Sequence, residues 1–258
     1  MRKVASQMSE EMAMEERLRE TADIHTSSEE YARRFSGASG AWMLGMQEQI
    51  TKSLMAPFEH ASILDVGGGH GQLAIPLCRA GLAVTVLGSD VSCGQRLAAV
   101  QAEGTCRFVT GDLLDMPFPE NSFDVVLCFR LLTHCDRWPE LVGQLCRVAR
   151  RAVIVDYPTG QSLNCVAPAL FGAKKKVEKN TRTFRLFSHR EVAGAFAENG
   201  FRRTALRKQF FWPMVMHRML KSVAVSRMAE GLCRGVGLTW LAGSPVIARF
   251  EPRPETQE

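Results

Sequence analysis

The chain has 258 residues, of which 46% are hydrophobic and 23% charged, a balance typical of one medium-sized globular domain with room for an added cap. Residues 1–20 mix charged residues with Met, and no run of about 18 apolar residues follows, so the sequence predicts neither a signal peptide nor a membrane-spanning helix. We therefore expect a soluble, cytoplasmic protein. The formal net charge of +5 is modest and favours no particular partner.

Apolar, strand-like runs alternate with helical patterns from about residue 61 to residue 157. The predicted strands cover residues 61–66, 83–90, 106–112, 122–129, 151–158, 201–212 and 245–252. The predicted helices cover residues 71–81, 93–104, 137–149 and 188–200. This order predicts an α/β fold with a mostly parallel, seven-stranded sheet and helices on both faces.

The cysteines are scattered and form no CxxC pair, and several fall inside apolar segments. These positions indicate reduced packing residues and not a disulfide framework. No His/Asp cluster remains that would hold a catalytic metal ion, so we expect none.

Residues 63–77 read ILDVGGGHGQLAIPL, a strand that enters a glycine-rich turn and then a helix. Such a turn leaves backbone N–H groups bare at the positive end of the helix dipole, and glycine permits close approach of a ligand. The dinucleotide pattern GxGxxG would need glycine where Gln72 and Ala74 stand, and the phosphate loop GxxxxGK[ST] does not occur. The turn therefore predicts a ligand other than a dinucleotide or a nucleotide held by a phosphate loop.

The spacing that does occur is Asp-x-Gly-x-Gly-x-Gly, formed by Asp65, Gly67, Gly69 and Gly71. With it, the sequence resembles the class I S-adenosylmethionine (SAM)-dependent methyltransferases, over about residues 30–157 and more loosely to residue 252. The resemblance implies a Rossmann-like class I methyltransferase fold with SAM as cofactor. It also implies that these glycines wrap the methionine part of SAM.

Two further acids fit the family pattern. Asp90 closes the second strand, where the resemblance places a carboxylate on the ribose hydroxyls, and Val91 follows it in the same site. Asp112 and Leu113, after the third strand, stand where the family binds the adenine amino group and ring. Asp90 could instead cap the following helix, and Asp112 could be a simple turn residue.

The segment FDVVLCFRLLTH, residues 123–134, resembles the fourth strand and the turn where methyl group and acceptor meet. It brings Phe129 and Arg130 into the predicted cofactor site, and Arg130 is also a candidate for binding an anionic substrate. Residues 31–50 resemble the N-terminal cap of the small-molecule branch, which includes quinone-biosynthesis methyltransferases. There Tyr31 and Arg34 are predicted to close over the SAM carboxylate, with Arg33 as competitor; either arginine could instead be a solvated charge.

Catalysis needs little from the protein, because the sulfonium is already electrophilic and the acceptor mainly has to be aligned. His134, at the mouth of the fourth strand, is the predicted general base if the acceptor must lose a proton. Tyr157 is a second catalytic candidate, and Asp156 beside it is also expected to face the site. Each of these three side chains could instead have a structural role.

These patterns predict a helical cap over residues 1–55 and a SAM-binding domain over 56–258, with cap inserts at about 159–187 and 210–243. The segment 174–185 contains six basic residues and one acid. It could bind an anionic substrate, nucleic acid or an anionic membrane surface, or it could be a solvated loop without a ligand. The second insert predicts an amphipathic helix, which could be a lid over the substrate, a packing surface or a helix that lies on a membrane surface. The residues of its apolar side are Met214, Met216, Met219, Leu220 and Val223.

We expect a methyltransferase that acts on an oxygen, nitrogen or carbon atom of a small metabolite, anionic or amphipathic, as a monomer or homodimer. A SAM-binding protein without catalysis, a nucleic-acid methyltransferase and a nicotinamide dehydrogenase remain alternatives. Nucleic acid is disfavoured, because the Asn/Asp-Pro-Pro-aromatic segment of base methylation is replaced by Phe129-Arg130-Leu131-Leu132.

Overall fold

A computed structural model describes residues 19–104, 106–162, 185–220 and 222–254. Its strands are β1 (Ile63–Val66), β2 (Val84–Gly88), β3 (Cys106–Thr110), β4 (Phe123–Cys128), β5 (Ala149–Tyr157), β6 (Phe201–Phe210) and β7 (Ser244–Pro252). They form one sheet in the order β3-β2-β1-β4-β5-β7-β6. The strands from β1 to β5 are parallel, and β7 pairs antiparallel with both β5 and β6. The predicted α/β fold and its mostly parallel, seven-stranded sheet are confirmed.

Helices precede the sheet and cover both of its faces. They are α1 (Ala22–Thr26), α2 (Glu29–Arg33), α3 (Gly37–Met55), α4 (Ala74–Arg79), α5 (Ala98–Ala102), α6 (Trp138–Val148), α7 (His189–Glu198), α8 (Met214–Leu220), α9 (Val223–Gly235) and α10 (Leu238–Ala242). None of the helices in the described ranges is long and apolar enough to cross a membrane.

The sheet separates two apolar cores because successive strand residues point to opposite faces. In β5, Val153, Val155 and Tyr157 belong to the core under α6 and α7. Ala152 and Ile154 belong to the core that α3, α4 and α5 cover. The alternation therefore separates neighbouring side chains at the end of β5, where part of the candidate site lies.

The topology fixes where a ligand can bind. Strand β1 lies between β2 and β4, so the connections after β1 and β4 leave to opposite sides of the sheet. Ligands of open α/β sheets bind at the carboxyl ends of the strands at such a switch point. The glycine turn after β1 and the turn after β4 are therefore adjacent.

The structure corrects some predicted elements. The helix predicted over 93–104 is a 3₁₀ segment, Val91–Leu97, followed by the short helix α5. The amphipathic helix predicted in the second insert is two helices, α8 and α9, and Met219 and Leu220 of its predicted apolar side are exposed. Most of the basic segment 174–185 lies outside the described residues. The division into a cap, a SAM-binding domain and inserts remains a prediction.

Candidate active site

The glycine turn leaves no room for side chains. Gly67 and Gly71 have φ angles of 69° and 74°, in the left-handed region that favours glycine. A Cβ on Gly69 would collide with the carbonyl oxygen of Cys93 and with Ser27 Oγ. A Cβ on Gly68 would collide with the carboxyl group of Asp65. The turn is thus packed closely against Asp65, Ser27 and Cys93.

Asp65 lies behind this turn and is buried in β1. Burial raises the pKa of its carboxyl group to about 7, and a hydrogen bond from the backbone of Ala74 opposes the rise. Asp65 therefore braces the turn against the start of α4.

Two acidic residues lie at the end of β2: Asp90, which follows the strand, and Asp23, from helix α1. Asp90 Oδ1 accepts a hydrogen bond from the Ser92 amide at 2.8 Å, which caps the following 3₁₀ segment and lowers the pKa of Asp90. Val91 beside it is exposed. The buried carboxyl group of Asp23, in α1, accepts a hydrogen bond from the Ser89 amide at 2.7 Å. Helix α1 is thereby fixed against the glycine turn.

The loop after β3 has a similar local arrangement. Asp112 Oδ1 accepts a hydrogen bond from the Leu114 amide at 2.9 Å, and Leu113 is fully buried. Asp90 and Asp112 both make the local bonds of a cap or turn. Since a carboxylate has two oxygens, each keeps capacity to accept from a ligand.

Arg130, directly after β4, anchors a closed set of hydrogen bonds that we call the Arg130 network (Gln47, Arg130 and Asp156). The Arg130 amide donates to Asp156 Oδ1 at 2.6 Å, and Arg130 Nη2 donates to Gln47 Oε1 at 2.9 Å. Gln47 Nε2 donates to Asp156 Oδ2 at 3.1 Å. Arg130 has a φ of 59°, an uncommon conformation for a residue with a side chain, and these bonds hold it there.

Burial raises the pKa of Asp156 to about 6, while the hydrogen bond from the Arg130 amide and the charge of Arg130 oppose the rise. The guanidinium carbon of Arg130 lies 3.8 Å from the centre of the Phe35 ring. The network thus fixes both the backbone and the side chain of Arg130.

Aromatic and imidazole rings meet beside this network in a group that we call the aromatic cluster (His25, Tyr31, Phe35, His70 and His134). The centre of the Tyr31 ring lies 5.5 Å from that of His25, 6.1 Å from His70 and 6.5 Å from His134, all edge to face. Burial raises the pKa of Tyr31. Burial, and secondarily the charge of Arg130, lowers the pKa of His70 to about 4, so His70 is neutral near pH 7.

Buried polar atoms around the glycine turn lack partners among the described residues. They are Ser27 Oγ, both ring nitrogens of His70, Gln72 Oε1 and Arg130 Nη1. A buried polar atom left without a hydrogen bond costs about 1–3 kcal/mol, so a group of them indicates a site built for a polar ligand. SAM, with its carboxylate, amino group and ribose hydroxyls, fits such a set.

The remaining predicted residues lie at different distances from this centre. The guanidinium of Arg34 lies 5.1 Å from the centre of the Tyr31 ring, whereas Arg33 is exposed. Phe129 is buried in the core that α3 covers. These positions favour Arg34 over Arg33 as the cap arginine.

Tyr157 is not part of the aromatic cluster. Its hydroxyl group is 3.0 Å from His189 Nδ1, and its ring packs with Phe187 in the core under α6 and α7. Asp156 points to the opposite face of the sheet, toward Gln47. Of these two candidates at the end of β5, the structure brings only Asp156 to the Arg130 network.

Sequence reasoning missed several residues of the site. Asp23, His25 and Gln47 lie on helices, and Ser27 directly follows α1, in segments whose sequence carries no motif for a binding site. His70 did carry a signal, since it is a large ring between Gly69 and Gly71 in a turn otherwise free of side chains. Among the described residues, no group of three or more His, Cys, Asp or Glu side chains is placed to hold a metal ion.

Comparison with known proteins identifies the family of this fold. Residues 64–155 match the family model described as a methyltransferase domain. The chain is 24% identical to the malonyl-[acyl-carrier protein] O-methyltransferase of Pectobacterium atrosepticum over 81% of this chain and 79% of the relative. It is 41% identical to the ubiquinone biosynthesis O-methyltransferase of Paramagnetospirillum magneticum, but over only 32% of this chain and 34% of the relative.

The fold is also that of a solved methyltransferase. The crystal structure of magnesium protoporphyrin IX methyltransferase from Synechocystis, with bound SAH, superposes with a TM-score of 0.60 at 17% identity, covering 86% of this chain and 93% of that one. Fold, glycine turn and family match together define a class I methyltransferase. The chain is a SAM-dependent methyltransferase of the small-molecule type, and SAM is its cofactor.

Proposed function

We propose that this methyltransferase acts on a small metabolite that carries an anionic group, and that Arg130 binds that group. The observation that carries the proposal is the Arg130 network. It holds a buried guanidinium with Nη1 lacking a partner among the described residues, next to the aromatic cluster. A guanidinium fixed in this way suits an oxyanion, because it donates in a rigid fork.

We assign SAM to a second part of the site, the cofactor side. The part formed by the Arg130 network and the aromatic cluster is the acceptor side. The glycines of the turn hold the methionine part of SAM, Asp90 and Val91 the ribose side, and Asp112 with Leu113 the adenine. Tyr31 and Arg34 close over the carboxylate of SAM from the cap. This division is supported by the two arginines packing against different rings, Arg34 against Tyr31 and Arg130 against Phe35.

When bound, SAM supplies an electrophilic methyl group that needs an aligned acceptor in a site shielded from water. The rings of the aromatic cluster, packed edge to face, supply that shielding. His134, 6.5 Å from Tyr31 between ring centres, is the proposed base for an acceptor that carries a proton. His70, neutral and in the turn itself, is placed to accept or donate a hydrogen bond at the reacting centre.

The two relatives are O-methyltransferases by name, one of malonyl-[acyl-carrier protein] and one of ubiquinone biosynthesis. The first name denotes an acyl group that carries a free carboxylate. These names support an O-methyl transfer to a small or carrier-bound acid as the first chemistry to test.

The proposal is tested by incubating the protein with methyl-labelled SAM and a metabolite extract separated into acidic, neutral and basic fractions. We expect labelled product from the acidic fraction, and much less of it with the variant Arg130→Gln. Label appearing only in the neutral or basic fraction, or equally with Arg130→Gln, would overturn the assignment of an anionic acceptor to Arg130.

A further inference from the structure

Helix α9, in the insert between β6 and β7, presents its apolar side to solvent. Ser226, Glu230 and Cys233, spaced four and three residues apart, are buried. Met228 and Leu232, on the other side of the helix, are 71% and 69% exposed. Surface helices ordinarily bury their apolar stripe and expose their polar one, so this helix is oriented the opposite way.

The buried carboxylate of Glu230 fixes that orientation. Its Oε2 accepts a hydrogen bond from the Phe211 amide at 2.9 Å, and its Oε1 accepts one from the Trp212 amide at 2.9 Å. Oε1 also lies 3.0 Å from Nε2 of the buried His217 in α8. Rotating α9 to bury its apolar side would leave the carboxyl group of Glu230 without these hydrogen-bond partners, which is strongly unfavourable. The exposed apolar side is therefore a stable feature of the fold.

The apolar surface continues beyond α9 onto its neighbours. Trp240 in α10 is 81% exposed, and Leu241 beside it and Met219 in α8 are also exposed. We call this surface the outer face; it comprises Met219, Val225, Met228, Leu232, Trp240 and Leu241. Exposed apolar patches of this kind mark interaction sites, because monomeric soluble proteins rarely keep them.

The charged residues around the outer face indicate what kind of partner it binds. In the described part of segment 211–243, the basic residues Arg218, Arg227 and Arg234 are exposed, whereas the one acid, Glu230, is buried and hydrogen-bonded. Trp, Met and Leu flanked by Arg and Lys are typical of helices that lie in the headgroup region of an anionic membrane. A second copy of this chain would instead set these bases against each other, on a protein of net charge +5.

The helices that carry the outer face pack, on their other side, against α3, which also borders the site. The His217 ring in α8 packs against Trp42 in α3, with 5.1 Å between ring centres. Phe35, which contacts Arg130, packs in the same small core as Trp42 and Val223. The outer face is therefore separated from the Arg130 network by α3 and by the buried side of α9.

We propose that the outer face docks the protein on an anionic membrane surface. This proposal goes beyond the proposed function, and its test does not depend on methyl transfer. Docking there would keep the protein beside an amphipathic acceptor held in the lipid.

Flotation of the full chain with vesicles tests the proposal. We expect recovery with mixed phosphatidylcholine and phosphatidylglycerol vesicles at least about tenfold above that with pure phosphatidylcholine, because each basic residue near the surface adds attraction. The variant M228E/L232E should lose most of this binding. R107E, on the exposed part of β3, changes the net charge by the same amount and should bind like the parent.

Other measurements separate docking from misfolding and from dimer formation. M228E/L232E should bind SAM like the parent, and the milder variant Trp240→Ser should also weaken flotation. Absence of flotation with anionic vesicles, equal flotation with neutral ones or unchanged flotation of both variants would overturn the proposal. So would a dimer in sedimentation velocity that M228E/L232E separates, since a second copy would then cover the outer face.

Discussion

The two sides of the candidate site differ in how their residues are brought together. The cofactor side is built from consecutive turns at the ends of β1, β2 and β3, in which glycines and acids bond mainly to neighbours in sequence. The acceptor side joins α1, α2 and α3 to the ends of β4 and β5 through contacts between distant residues. The first arrangement can bind one constant ligand in many proteins, whereas the second can change with the acceptor.

The largest effect is expected on the acceptor side, at His134. If His134 removes a proton from the acceptor, His134→Ala should lower turnover by about 10²–10⁴-fold and leave SAM affinity nearly unchanged. Steady-state kinetics and calorimetric titration with SAM would check this. A loss under about threefold, or an equal loss of SAM affinity, would show that His134 only positions other groups.

On the cofactor side, Gly69→Ala should weaken SAM binding by at least about tenfold, or about 1.4 kcal/mol. The added Cβ collides with the Cys93 carbonyl and forces the turn to shift. Gly45→Ala in α3, where a Cβ meets nothing within 4 Å, is the matched control and should bind SAM like the parent. Equal SAM affinity in both variants would remove the glycine turn from the cofactor site.

Asp90→Ala should have a smaller effect on the same side. Loss of charge-assisted hydrogen bonds to the ribose should weaken SAM binding by about fivefold. Part of any instability will come from the lost cap at Ser92, so thermal unfolding must be measured alongside. A fall in melting temperature with no change in SAM affinity at a temperature where the protein is folded would leave Asp90 as a cap alone.

The contrast between the two sides also explains how much the sequence predicted. Asp65, Gly67, Gly69 and Gly71 lie within one turn, so their spacing in the chain is their spacing in space, and the fold class followed from the order of strands and helices. Gln47 lies 109 residues before Asp156, to which it bonds. No local pattern encodes such a pair.

The direction in which the apolar side of α9 points was not predicted from the sequence, for a related reason. Periodicity correctly indicates an apolar stripe but not the direction in which it points. That direction depends on Glu230, whose partners Phe211 and Trp212 lie 19 and 18 residues earlier. Tyr157 illustrates the same limit. The face of the sheet to which its side chain points depends on the strand pairing, which no local pattern encodes.

The burial of Asp65 also predicts a pH dependence of stability in the absence of ligand. Asp65 has a pKa raised to about 7 in the folded protein, so its contribution to stability is fully present below its unfolded pKa, near 3.8, and is lost as pH rises toward 7. Asp65→Asn should remove this loss. The difference in melting temperature between variant and parent should therefore grow in favour of the variant from pH 4 to pH 7. A difference that stays flat would mean that Asp65 titrates normally.

The division between the two sides is tested most directly by Arg130→Gln, with SAM affinity measured by calorimetry and acceptor KM measured on the labelled acidic substrate. Asp156 still accepts from the residue 130 amide in this variant, so the turn should persist. We predict a SAM Kd within about twofold of the parent and a KM raised by at least about tenfold, equivalent to about 1.4 kcal/mol of lost binding. A large loss of SAM affinity with an unchanged KM would contradict the account and place Arg130 on the cofactor carboxylate.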